Sequence, residues 1–267
     1  MIDGALPYLR CPICRQPLER VDRALRCPPG HSFDMARQGY ADLTAGRMPH
    51  VGDTAEMVAD RAAFLAAGHY AFITAALAEA AGAPGGLIVD AGTGTGDYLA
   101  AVLDHAPAAT GLGLDVSKPA LRRAARAHDR AAAVLTDLWR PLPLADQAAE
   151  VILDVFAPRN GPEFHRVLRP GGLLLVVTPG PEHLRELIAT HRLIQVDPEK
   201  ASRVEEALGG RFKPDGVLSL DRELDLTADE VRTLIGMTPS AHHVPANRPT
   251  TPSRVTASVR ITAYRPI

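Results

Sequence analysis

The stretch LIVDAGTGTGDYL, Leu87 to Leu99, decides how the rest of the chain is read. Leu87, Ile88 and Val89 make a short apolar run that ends on Asp90, the pattern of a buried strand. Gly92, Gly94 and Gly96 follow in a turn where the missing Cβ lets backbone amides close on a ligand, and a helix opens near Asp97. Strand, glycine turn and helix together outline a nucleotide site. The spacing G-x-G-x-G is a weak signal alone, since an ordinary loop has the same composition. A second apolar run, TGLGLD, ends on Asp115, 25 residues past Asp90, where a carboxylate can accept both hydroxyls of a ribose. A third, AAAVLTD, ends on Asp137, where an adenine amino group would lie. Three strands thus finish in acidic residues along the carboxyl edge of one sheet.

This pattern resembles the S-adenosylmethionine (SAM) dependent methyltransferases of the Rossmann-like class. The turn departs by one residue from the dinucleotide fingerprint G-x-G-x-x-G, and SAM has no pyrophosphate to seat on a helix N-terminus. Residues 167 to 180, VLRPGGLLLVVTPG, add to the likeness, because in that class a basic residue followed by Pro-Gly-Gly leads into the fifth strand. The resemblance implies SAM as cofactor, held by Asp90, Gly92, Gly94, Gly96, Asp97, Asp115 and Asp137. It also implies an α/β fold built on one Rossmann-like sheet. Apolar runs near 86 to 90, 110 to 114, 132 to 136, 150 to 155 and 173 to 178 alternate with helical segments, which predicts parallel strands joined by right-handed crossovers.

With 267 residues the chain accommodates one large α/β domain and a small module. Hydrophobic residues at 46% suffice for a core, while aromatics at 4% make it a core of small aliphatic side chains. The net charge of −2 gives no global case for a polyanionic partner. Locally, residues 118 to 130 carry Lys118, Arg122, Arg123, Arg126 and Arg130 against Asp129, and residues 248 to 267 carry arginines and no acid. Each run reads as a solvated face or as a nucleic-acid surface. Residues 199 to 230 are acidic instead. The N-terminus lacks a basic region followed by an apolar one, and no uninterrupted apolar stretch is long enough to span a membrane, so the expected location is the cytoplasm, with no membrane partner.

The 3 cysteines all precede residue 28. Cys11 and Cys14 stand in C-P-I-C, Cys27 follows, and His31 comes four residues after it. Two ligand pairs on tight turns, separated by a hairpin-length segment, match a tetrahedral structural zinc site with a closed shell. Residues 1–47 are therefore expected to form a zinc-ribbon-like module, and residues 48–267 the methyltransferase domain. So short a segment cannot bury a core by itself, and the metal would supply its folding energy.

The run C-P-I-C with CPPGHSFDMARQGYADL resembles the N-terminal zinc module of the bacterial 23S ribosomal RNA (guanine-N1)-methyltransferases, and within them the branch that includes the tylosin-resistance enzymes. The likeness continues through GDTAEMVADRAAFLAAGHY, LDVSKPALRRAARAH, VFAPRN and TPGPEHL. It implies methylation of guanine N1 in a stem-loop of 23S rRNA, with macrolide resistance as one biological role. It also implies that Tyr70 and His183 touch the cofactor, where spacing alone allows a core aromatic and a helix cap.

Asp53 to Gly68 reads as a helix with a capping box, Asp53 at the cap and Glu56 three residues on. Thr227 with Glu230 marks the start of another, and Asp215 to Leu226 and Arg254 to Tyr264 read as strands, matching the sixth strand and antiparallel seventh strand of the class. Trp139 lies over the adenine pocket or packs beside it. At the tip of the fourth strand, EVILDVFAP, stand Arg159 and Asn160. They can donate to guanine O6 and favour the charge that develops as N1 loses its proton, or they can hold the turn into the next helix. Asp154 is near enough in sequence to act as base, but the family does not keep an acid there. Phosphate contacts from the zinc module and the basic runs would position the RNA. Two other readings fit the same residues: a SAM-dependent enzyme acting on a small molecule, with the module as lid or homodimer element, and a zinc-ribbon protein that binds RNA and senses SAM.

Overall fold

The computed structural model describes residues 2–46, 49–197, 199–243 and 249–267. The expected boundary between module and domain, at 47 and 48, and the start of the second basic run, Arg248, lie outside them. In chain order the N-terminal segment holds α1 (Ile2–Ala5), β1 (Glu19–Val21), β2 (Ala24–Arg26), β3 (Ser32–Asp34) and β4 (Ala41–Asp42). Then come α2 (Ala55–Ala66), α3 (Ala71–Ala81), β5 (Leu87–Ala91), α4 (Asp97–His105), β6 (Thr110–Asp115), α5 (Lys118–Ala124), β7 (Ala131–Leu135) and β8 (Ala149–Val155). The chain ends with α6 (Gly161–Val167), β9 (Leu168–Pro179), α7 (Arg185–His191), α8 (Lys200–Leu208), β10 (Phe212–Leu226), α9 (Ala228–Gly236) and β11 (Ser253–Pro266).

One sheet organises the molecule, in the order β10-β11-β9-β8-β5-β6-β7-β4. The strands from β4 to β9 run parallel, and β11 lies antiparallel between β9 and β10. Strand β5 is buried along its whole length, as a central parallel strand covered on both faces must be. The chain moves from β5 through β6 to β7 on one side, then returns to β8 on the other. That reversal opens a crevice at the carboxyl ends of β5 and β8, where open α/β sheets bind ligands.

The N-terminal segment does not stand apart from this sheet. Its hairpin strands β1, β2 and β3 form a small antiparallel sheet. Strand β4 pairs with the outer edge of β7, Ala41 opposite Val134. Ile2, Ala5, Leu9 and Leu43 are buried in the same apolar cluster as Leu112, Val134 and Leu174 of the large sheet. Arg15 fastens the segment from the other side, donating to the carbonyls of Leu142 and Leu144 at 2.7 and 2.8 Å. The short segment thus borrows the core it cannot build.

One expectation changes. Helix α2 is capped by Thr54, whose hydroxyl accepts the Met57 N–H; Asp53 lies one residue too early for that and its carboxylate takes Arg61 instead, 2.7 Å away. In the C-terminal basic run, Arg254 and Arg265 of β11 pair with Asp225 and Asp215 of β10 at 2.8 Å each. The cap at Thr227, with Glu230 reaching back, forms as read. No single described helix is long and apolar enough to cross a membrane.

Candidate functional site

The turn Cys11 to Cys14 and the turn Cys27 to His31 face each other. Arg15 adopts φ 65° and its N–H bonds the Cys11 carbonyl, closing the first knuckle; Gly30, at φ 93°, bonds the Cys27 carbonyl and closes the second. The four donor atoms lie within 4.8 Å of one another. Cys14 Sγ is 3.6 Å from Cys27 Sγ, and His31 Nδ1 is 3.6 and 3.2 Å from the sulfurs of Cys11 and Cys27. Zinc bonds of about 2.3 Å to sulfur in a tetrahedron separate the ligands by about 3.7 Å, so three thiolates and one imidazole fit the ion. The four side chains use every position of such a shell, which assigns the metal a structural task.

In the crevice, Asp90 is wholly buried and Thr93 donates to its Oδ2 at 2.7 Å; Oδ1 has no hydrogen-bond partner among the described residues. Burial, with Asp115 nearby, pushes the Asp90 pKa up to about 7. Asp115 accepts the amides of Gly94 and Ser117, one on each oxygen at 2.8 Å. Burial raises its pKa as well. An orphaned buried carboxylate oxygen and a second acid with lone pairs to spare fit an ammonium and a ribose diol, the polar groups SAM presents.

The glycines have local reasons to be glycine. All three have positive φ. A Cβ on Gly92 would lie 2.5 Å from that of Ala157, and one on Gly96 would lie 2.9 Å from that of Ala127, whereas the space at Gly94 is open to 3.6 Å, where Arg61 begins. Only Gly94 therefore leaves room for a ligand; the other two let the end of α5 and the tip of β8 close on the turn.

Asp137 accepts the amide of Trp139 and lies 2.9 Å from His50 Nδ1, so the linker after the ribbon closes over its carboxylate. Trp139 is half-exposed. Asp97 accepts the hydroxyl of Thr95. Tyr70 is buried between Phe64 and Phe72, its phenol kept protonated by burial, and its ring centroid is 6.4 Å from that of His183. His183 accepts the Ser258 amide on Nδ1, and burial lowers its pKa to about 4, so the ring is neutral and carries its proton on Nε2.

The residues expected to meet the base are engaged elsewhere. Arg159 Nε lies 3.1 Å from Asp154 in a buried ion pair. Asn160 caps α6 through Glu163 N–H and donates to the Leu138 carbonyl at 2.8 Å. These contacts hold the turn into α6, the second of the two roles that the sequence allows. Sequence reasoning passed over Phe156, Arg61 and His50, which the fold brings to the crevice. A bulky residue at the strand tip beside VFAP was a weak signal for the first; nothing local marked the other two.

The zinc-ribbon family model described as RlmA, N-terminal, matches residues 9–45, and a methyltransferase domain model matches residues 88–172. A protein of Micromonospora griseorubida, named among the 23S rRNA (guanine-N(1)-)-methyltransferases, is 56% identical over 98% of this chain and 98% of its own length. The 23S rRNA (guanine(748)-N(1))-methyltransferase of Streptomyces fradiae is 49% identical over 91% of this chain and 89% of its own. Among solved structures, the Haloferax volcanii methyltransferase in complex with its Trm112 activator superposes with TM-score 0.54 at 19% identity, covering 81% of this chain and 99% of that one, a likeness of fold. With identity of this degree running through both the ribbon and the crevice, the chain belongs to the 23S rRNA (guanine-N1)-methyltransferase family.

Proposed function

We propose that the protein transfers the methyl group of SAM to N1 of a guanine in a hairpin of 23S rRNA, as the names of its relatives indicate for them. The observation that carries the reading is a closed cysteine–histidine shell seated on the same sheet as the crevice, in a chain whose relatives match across both. When bound, SAM supplies a sulfonium that makes its methyl carbon electrophilic. Asp90 would receive the ammonium of the amino-acid end, Asp115 the ribose, and Asp137 the adenine amino group. Tyr70 and His183 would touch the cofactor, both neutral.

The crevice would present guanine N1 in line with the sulfonium methyl group that SAM would supply, and the N1 proton would leave to solvent. The fold contributes alignment above all. Inside a helix N1 is occupied by base pairing, so the target stands in a loop or is flipped out. The exposed Arg122, Arg123 and Arg126 of the α5 region fit phosphate contacts; Arg130 does not, because it bonds the carbonyls of Ala106 and Ala109. Incubation with labelled SAM and unmodified 23S rRNA, followed by nucleoside mass spectrometry, should yield 1-methylguanosine. N2- or N7-methylguanosine alone would overturn the assignment. Raised tylosin tolerance in a susceptible host expressing the protein would assign it to resistance.

A further inference from the structure

Strand β8 ends at Val155, and the next residue, Phe156, has φ 54°, the left-handed region where a bulky side chain is strained. Its N–H bonds the Val177 carbonyl at 3.1 Å, which fixes the backbone there. A glycine would hold this conformation without strain. The aromatic ring does not compensate by filling the core either, being 36% exposed while Val155 and Ala157 on either side are buried. Packing therefore gives no account of the side chain. Position does: Ala157 abuts Gly92 of the glycine turn, so Phe156 stands at the switch point, on the β8 side, away from the strands whose acids would hold the nucleoside of SAM. Its ring lies 6.1 Å from that of His183, the two planes inclined by 29°.

We propose that Phe156 is the platform on which the extruded target guanine stacks. This rests on the function proposed above. A purine taken out of its helix loses stacking on both faces, and an aromatic ring at the mouth of the crevice restores one of them. Stacking carries no preference for guanine over adenine; it places whichever base enters. With Arg159 and Asn160 turned to Asp154 and Leu138, the surface here that can meet the face of a base is this ring.

The test uses the full-length protein with Phe156→Leu, Phe156→Gly and Phe156→Tyr. Leucine keeps apolar bulk without a π face, glycine also relieves the backbone, and tyrosine keeps the ring. Phe156→Leu and Phe156→Gly should lower kcat/KM for an unmodified hairpin by about fivefold or more, the loss that removal of an aromatic stacking partner of a base brings. Affinity for S-adenosylhomocysteine should stay within twofold, and Phe156→Gly should melt no lower than the parent. Phe156→Tyr should stay within threefold of the parent in kcat/KM. Full activity in Phe156→Leu, or a parallel loss of S-adenosylhomocysteine affinity, overturns the platform. Hairpin affinity read by anisotropy with S-adenosylhomocysteine present needs no turnover. If it falls in Phe156→Leu while the parent makes no 1-methylguanosine, the platform stands and the N1 assignment fails; if the parent makes 1-methylguanosine and the leucine variant equals it in both readouts, the reverse holds.

Discussion

Arg61 reaches back along α2 to Asp53, Nη2 to Oδ2 at 2.7 Å, while its Nε, buried beside Gly94, has no hydrogen-bond partner among the described residues. The same Nη2 donates to the Met237 carbonyl, so the side chain ties α2 to the end of α9 and leaves one donor over the glycine turn. A buried N–H without a partner costs stability until something accepts from it.

The carboxylate of SAM is the acceptor that would stand there. Arg61→Gln should therefore weaken S-adenosylhomocysteine binding by about tenfold, in line with a charge-assisted hydrogen bond. It should leave 5′-methylthioadenosine, which lacks the amino-acid end, nearly unchanged. Calorimetry on the two ligands separates this from a purely structural tie, for which both affinities would fall together.

Asp90 gives the pH dependence a sign. Its pKa is about 7 in the folded chain, against an ordinary carboxylate value of 3.8. Between those values the folded state holds the proton more tightly than the unfolded one. Stability from this group is thus fully present below about 3.8 and is lost as pH rises toward 7, by no more than about 4 kcal/mol. Thermal melts of the ligand-free protein should show a downward slope from pH 5 to 7 that flattens in Asp90→Asn. Glu186 works in the opposite window: held near 2 by the amide and hydroxyl of Thr256 and by Arg185, it contributes stability that is lost only as pH falls from about 4.5 toward 2.

Loss of the metal should reach beyond the ribbon. Cys11 and Cys27 are buried in the cluster that contains Leu112 and Leu174, and Leu9 bridges to Leu144. Removing the N-terminal segment would uncover that cluster, so a chain starting near Val51 should aggregate. Cys14→Ser is the cleaner change. It should reduce zinc from about one ion per chain by elemental analysis, lower the melting temperature of the whole protein, and reduce RNA methylation more than S-adenosylhomocysteine affinity. Unchanged RNA methylation in a zinc-free variant would remove the ribbon from RNA selection.

What was legible in the sequence was whatever depends on neighbours along the chain. Apolar runs ending in Asp90, Asp115 and Asp137 located the sheet edge, and ligand spacing located Cys11, Cys14, Cys27 and His31. Features set across the fold were not legible. The two residues of β4 are too few for a periodic signal, yet they extend the large sheet. The two roles open to Arg159 looked alike in the sequence, because its partner, the buried Asp154, becomes visible only when the tip of β8 folds over. The left-handed backbone of Phe156 leaves no trace in composition, since phenylalanine is not a residue that favours it.

Gly92 and Gly94 separate packing from ligand approach within one turn. At Gly94, φ is 55° and the space for a Cβ is open, so Gly94→Ala should cost about 1 kcal/mol of stability, the ordinary cost of a left-handed alanine. At Gly92, φ is 82° and the added carbon would lie 2.5 Å from Ala157 Cβ, so β8 and the turn must part. Gly92→Ala should lower stability by about 3 kcal/mol, as overpacking of a rigid core does, and displace Phe156 with its neighbour. For ligand binding the order reverses in character. Gly94→Ala should weaken S-adenosylhomocysteine with little change in melting temperature, because the methyl group enters the space left for the cofactor. Gly92→Ala should recover most of its lost activity when paired with Ala157→Gly, which removes the collision. Equal melting temperatures for the two single variants, or no recovery in the pair, would mean that Ala157 does not set the position of the turn.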